Sequence, residues 1–210
     1  LERNGIAVET IDLSEIFGRV ERLGDGDTPV TRKLEEIAAK THAPFAMLFL
    51  AKPPDEPLPI QDFRRGPGRE RRRPSLNLLQ TVYDCQFRQS WLSGHLQSEG
   101  EVPLYFVSTA TTENNPTVVG GQIRERLRIG TEERRGNRTL ADAVLWLITR
   151  LDESGIIVQR NGVVGNHSRR KLDRDEFKGF ALADQWAPFI FVNGNDWLAS
   201  QMFTIAHECA

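Results

Sequence analysis

The chain is poor in the residues that staple, anchor or strongly charge a protein. Its 210 residues include two cysteines, Cys85 and Cys209, too few for a disulfide framework and in keeping with a reducing compartment. No apolar run approaches the roughly 20 residues needed to span a bilayer, and no signal peptide is legible. With 27 basic against 29 acidic side chains, a net charge of −2, nothing drives the chain as a whole toward nucleic acid or membrane. The expectation is a soluble, cytoplasmic protein without a membrane partner. Because the chain begins at Leu1 without Met, it reads as an excerpt of a longer polypeptide.

What proline and glycine there are divide the chain. Lys52-Pro53-Pro54-Asp55-Glu56-Pro57-Leu58-Pro59 is a stiff connector. Arg64, Arg65, Arg69, Arg71, Arg72 and Arg73 follow around Gly66-Pro67-Gly68. Such a run can contact phosphate, although a solvated loop is its commoner use. The expected organisation is a helical segment over 1–51, a Pro/Arg-rich linker over 52–73 and a larger domain over 74–210. In the first segment Ile11, Leu13, Ile16 and Phe17 space an apolar face before Gly18, and Gly24-Asp25-Gly26-Asp27 marks a turn. Thr28 and Pro29 suit the cap and first turn of another helix, and residues 45–50 predict a short hydrophobic one.

In the larger domain Pro74-Ser75 opens a helix reaching about Ser98, with Leu76, Leu79, Tyr83, Phe87 and Trp91 at spacings of three or four as its core stripe. Cys85 falls off that stripe and reads as an incidental thiol, and His95 as a helix-end residue. An extended segment is expected over 102–107, then a helix from Asn115-Pro116 carrying Val118, Val119, Ile123 and Leu127. The arginines from Arg124 to Arg138 alternate with glutamates and predict a solvated face. Thr139 caps a helix that buries Leu140, Val144, Leu147, Ile148 and Leu151 and stops at Ser154-Gly155. Strands follow over 156–160, 179–183 and 189–193, the first ending in the hairpin signal Asn161-Gly162. His167 falls in a polar stretch read as a loop.

The most informative stretch is the last. Phe189-Ile190-Phe191-Val192 is a buried strand, Asn193-Gly194-Asn195-Asp196 a polar turn, and a helix then ends on His207-Glu208-Cys209-Ala210. Leu198, Met202, Ile205 and Cys209 form an apolar stripe on it, with Ala199, Phe203 and Ala206 alongside, which predicts an interior helix. A buried His or Glu without a partner is costly there, and a metal held by imidazole would relieve that cost. A zinc-peptidase helix carries H-E-x-x-H, two ligand histidines one turn apart with a general-base Glu between them. A His-Glu pair by itself is weak, and its plain alternative is a helix-end histidine beside an exposed carboxylate.

Several segments together say more. Gly162-Val163-Val164-Gly165-Asn166, Arg170-Lys171-Leu172-Asp173, Glu176-Phe177-Lys178-Gly179-Phe180-Ala181-Leu182, Pro188-Phe189-Ile190-Phe191-Val192-Asn193-Gly194 and Ala199-Ser200-Gln201-Met202-Phe203-Thr204-Ile205-Ala206-His207-Glu208 resemble, in order and spacing, the ImmA/IrrE family of zinc metallo-endopeptidases. The helices before residue 51 resemble the tail of a Cro/repressor-like helix-turn-helix module. The resemblance implies an α+β fold, a zincin-like peptidase domain behind a small all-α helix-turn-helix-like segment. It implies Zn2+ as cofactor, His207 as a metal ligand and Glu208 as the catalytic base. It implies a helix-turn-helix transcriptional repressor as substrate, cleaved to derepress stress-response or mobile-element genes. The second histidine and the acidic ligand of the family pattern lie beyond Ala210, so the domain is expected to be truncated inside the motif. The alternative is a catalytically incomplete regulator of the same fold that binds a repressor or DNA. For DNA the footprint is poor, since Asp25 and Asp27 follow the short candidate reading helix around Arg19-Val20-Glu21-Arg22.

Overall fold

The computed structural model describes residues 34–36, 38–39, 45–49, 60, 74–130, 136 and 138–210. Contacts divide the chain into two compact units, Leu1–Leu58 with Arg65–Leu76 and Pro59–Arg64 with Asn77–Ala210. Most of the expected helix-turn-helix segment, the linker and the arginine run lie outside the described residues. Within the first unit, residues 34–36 and 38–39 are helical. The short hydrophobic helix expected over 45–50 is a 3-10 turn, Phe45–Phe49, whose terminal rings meet edge to face at 5.2 Å.

The second unit is mixed α and β. Helix α1 (Leu76–Ser98) is followed by α2 (Pro116–Arg126), α3 (Leu140–Glu153), strands β1 (Ile157–Asn161), β2 (Val163–Val164), β3 (His167–Lys171), β4 (Gly179–Leu182) and β5 (Phe189–Asn193), and helix α4 (Leu198–Cys209). Among the described residues no helix is long and apolar enough to cross a membrane.

Local chemistry explains the helix ends. The Thr139 side chain accepts from the Asp142 amide, and the Asp142 carboxylate accepts from the Thr139 amide, which makes a capping box for α3. Asn115 caps α2, with Pro116 at the first position, where its missing N–H costs nothing. Gly155, at φ 87°, turns the chain out of α3 in the left-handed conformation that glycine tolerates. The segment expected to be extended over 102–107 joins no strand, and its residues from 105 on instead form a turn, with Val107 N donating to Leu104 O. Six apolar-leaning residues without a partner strand make no ladder.

Strand β5 is central and buried along its whole length, parallel to β1 and antiparallel to β4. A strand buried on both faces needs continuous apolar residues, which Phe189-Ile190-Phe191-Val192 supplies. One face carries Ile190 and Val192 into a core with Val144, Leu147 and Leu151 of α3 and Ile205 of α4. On the other face Phe180 and Phe191 stack at 5.2 Å, and α1 is bonded there through Arg88 Nη1 to Gln159 Oε1. Gln89 of α1 also donates to the carbonyls of Leu182 and Ala187.

Three readings of the sequence are corrected. Asn161-Gly162 does not close a hairpin between paired neighbours, because β1 pairs with β5 while β2 pairs with β3. The Asn161 side chain instead accepts from Val163 N and donates to Gly165 O, and Gly162 lies so close to Asn195 that a Cβ would collide with it. The polar stretch around His167 is strand β3 rather than a loop, held to α1 by Arg170, whose guanidinium donates to Asn77 Oδ1 and Gln80 Oε1. Finally, the buried side of α1 is Leu78, Leu79, Val82 and Cys85, while Tyr83, Phe87 and Trp91 are exposed. Cys85 is therefore a core residue, and the aromatic stripe faces solvent.

Candidate functional site

The polar turn after β5 sets the position of α4. Asn193 is fully buried; its amide nitrogen donates to Phe177 O and its side-chain oxygen accepts from Asn195 N. Asn195 donates to the carbonyls of Gly162 and Leu172. Asp196 accepts from the Trp197 amide, the Ser200 hydroxyl and the Lys178 ammonium, so it ties the residue that opens α4 and a side chain of its first turn to Lys178, just before β4, although it does not cap the helix backbone. Burial opposes the charge on this carboxyl, but the Ser200, Trp197 and Lys178 hydrogen bonds and the Lys178 charge outweigh it and hold it below the usual carboxylate range. Gln201, also buried, donates to Asp196 O at 2.6 Å. The sequence reading passed over Asp196, Asn193 and Gln201 as site-building residues. The signal was present in the density of hydrogen-bonding side chains between a buried strand and an apolar helix.

At its other end α4 splits its side chains between two environments. Gln201, Thr204 and Ile205 are buried and Met202 and Cys209 half-buried, while Phe203, Ala206 and His207 are exposed. The His207 ring stacks on Phe203 at 6.1 Å. The expected interior helix is thus wet on one side. The desolvation cost expected of a buried histidine there does not arise, because water reaches this imidazole.

Glu208 and Cys209 turn instead into a cavity of about 470 Å³. Its other walls are Ala181, Leu182 and Ala183 at the end of β4, Pro188 to Ile190 at the start of β5, and the α2 side chains Gln122, Ile123 and Arg126. The Arg126 guanidinium lies 4.2 Å from the centroid of the Phe106 ring, which also lines the cavity. Among the described residues β4 pairs with β5 alone. Asn193 N donates to Lys178 O, so the alternation of an antiparallel ladder directs the backbone amides of Gly179 and Ala181 away from β5. Ala181 thereby offers a strand edge to the same cavity that Glu208 lines.

The other histidines of this unit are not brought here. His95 is exposed and stacked on Trp91 at 5.6 Å, and His167 is exposed on β3. No group of three or more His, Cys, Asp or Glu side chains able to hold a metal ion occurs among the described residues. A catalytic zinc takes three protein ligands, and His207 is one imidazole; the described residues do not by themselves form a zinc site. No protein-family model, curated protein or solved structure matches the chain.

Proposed function

We propose that this chain is a peptidase-type domain of the ImmA/IrrE kind that takes an extended peptide into the cavity beside α4. The observation that carries the reading is that Glu208 and the outward edge of β4 line one cavity. A peptide laid along Ala181 gains main-chain hydrogen bonds that depend little on its sequence, while the apolar walls receive a side chain. Glu208 is then the group suited to take a proton from an attacking water and return it to the leaving amine. The zincin-like architecture, the zinc ion and a helix-turn-helix repressor as substrate rest on the sequence resemblance, and the metal would need donors other than those described. The test is incubation of the zinc-supplemented protein with a helix-turn-helix repressor. Cleavage by the parent and none by Glu208→Gln supports the reading; equal cleavage by both overturns it.

A second reading is a domain of this kind that binds its partner without cutting it, since the cavity lined by Glu208 and the β4 edge can hold a peptide whether or not a bond in it is broken. Persistent, chelator-insensitive binding of the repressor with no cleavage distinguishes it.

A further inference from the structure

A second cavity, of about 540 Å³, adjoins the first. Arg126 and Leu127 line both. Among the described residues its charged lining is Arg126, Arg128, Arg150 and Glu153, three cations against one anion and so a balance of +2. One carboxylate cannot neutralise this set. Glu153 is taken by Arg150, whose Nη2 lies 2.7 Å from Oε2 and 2.8 Å from Oε1. That pairing leaves the Arg150 Nε buried with no hydrogen-bond partner among the described residues. Buried N–H donors are ordinarily bonded, and this one leaves the Arg150 guanidinium short of an acceptor on its Nε side.

Arg128 adds an independent sign. It stands just past the end of α2 at φ 51°, a left-handed conformation that glycine usually fills at helix ends because a Cβ is strained there. A long cationic residue at such a position trades backbone ease for a guanidinium held at this cavity. Arginines in a last helical turn also complement the carbonyl end of the helix dipole. That role leaves the Arg150 Nε–H unbonded, and it does not require Arg128 to sit in a strained conformation.

We infer that the two cavities form one bipartite groove for a peptide that carries an apolar side chain followed or preceded by acidic ones. The apolar part occupies the walls beside Glu208 and β4. The carboxylates reach Arg126, which the Phe106 ring holds in place, and then Arg128 and Arg150. This inference rests on the peptide-binding part of the proposed function but not on cleavage.

The test is fluorescence anisotropy on the whole chain with two labelled ten-residue peptides, one with a Leu-Phe core next to an Asp-Glu pair and the other with Asn-Gln in place of the pair. The acidic peptide is expected to bind about tenfold tighter at low salt, with the gap narrowing as salt screens the exposed arginines. Arg128→Gly is the informative variant. It should erase most of the preference while holding or raising the melting temperature, since glycine relaxes the backbone; a residue with a merely structural role would not separate the two readouts. Equal binding of both peptides, no binding of either, or a preference unchanged in Arg128→Gly overturns the inference. Tight binding of the acidic peptide without any cleavage leaves it standing while counting against the enzymatic reading.

Discussion

The Lys178 ammonium stands 3.2 Å from an Asp196 carboxylate whose side chain is 1% exposed. Lys178 precedes β4 and Asp196 precedes α4, so the pair joins the edge strand of the candidate site to the helix that ends in His207 and Glu208. Asp196 also accepts from the Trp197 amide and the Ser200 hydroxyl. Asp196→Ala strands these buried donors, with an expected loss of about 2–4 kcal/mol by urea denaturation at pH 7. The pH dependence has a definite sign. The folded carboxyl lies below its unfolded value, so its contribution is complete above about pH 4 and is lost as pH falls through the folded pKa. The parent should lose stability in that acid window more steeply than Asp196→Asn; parallel curves would refute the assignment.

Gly179 fixes how closely β4 approaches α4. A Cβ built there would lie 2.5 Å from Phe191 O and 2.5 Å from Thr204 Cγ2. The carbonyl belongs to the central strand and cannot move aside, so Gly179→Ala must displace the edge strand. The expected cost is about 1–3 kcal/mol, measured by thermal or urea unfolding. Peptide binding should weaken as well, because the displaced strand carries the Ala181 edge out of its place in the cavity. A neutral outcome in both measurements would show that β4 is not held against α4 in this way.

The two sides of α1 give a direct comparison. Leu79 is 2% exposed and Phe87 75% exposed, although they share the same three-and-four spacing. Leu79→Ala should cost about 2–5 kcal/mol through the cavity it leaves. Phe87→Ala should stay within about 0.5 kcal/mol, as surface substitutions do. Equal losses on urea denaturation would place the aromatic stripe in the core after all.

That contrast shows where the sequence was legible and where it was not. The caps at Thr139 and Asn115, the apolar run of β5 and the strand-turn-helix at the end of the chain could be read because each depends on neighbours in sequence. The orientation of α1 could not. Tyr83, Phe87 and Trp91 satisfy helical periodicity as well as Leu78, Val82 and Cys85 do, and periodicity does not say which stripe the sheet will cover. What decides is long-range bonding, with Gln89 reaching Leu182 and Ala187, Ser93 reaching Asp184, and Arg170 reaching back to Asn77. Strand β3 escaped for a related reason. His167-Ser168-Arg169-Arg170-Lys171 has no apolar alternation, since its exposed residues need none. At the site, His207 and Glu208 were found by their motif, whereas Asp196 and Arg126 matter through partners distant in sequence or through a cavity that appears only once the chain is folded.

The two thiols report on the same architecture. Burial pushes the Cys85 thiol up from 9.0 to about 12, with Arg88 lowering it and Asp84 raising it by lesser amounts. Burial also raises Cys209, which lines the candidate cavity. Because the thiolate is the reacting form, both should be slow toward iodoacetamide at pH 8, and Cys85 inert until the protein unfolds. For Cys85 the raised folded value favours the neutral thiol, so its contribution to stability is whole below pH 9.0 and fades as the pH climbs toward the folded value. The informative measurement is labelling followed by peptide mass mapping, with and without a saturating apolar-acidic peptide. Peptide in the groove should slow Cys209 several-fold further and leave Cys85 as inert as before. Labelling of Cys85 in the native state would contradict its burial, and a Cys209 rate indifferent to the peptide would place the ligand outside the cavity that Glu208 lines.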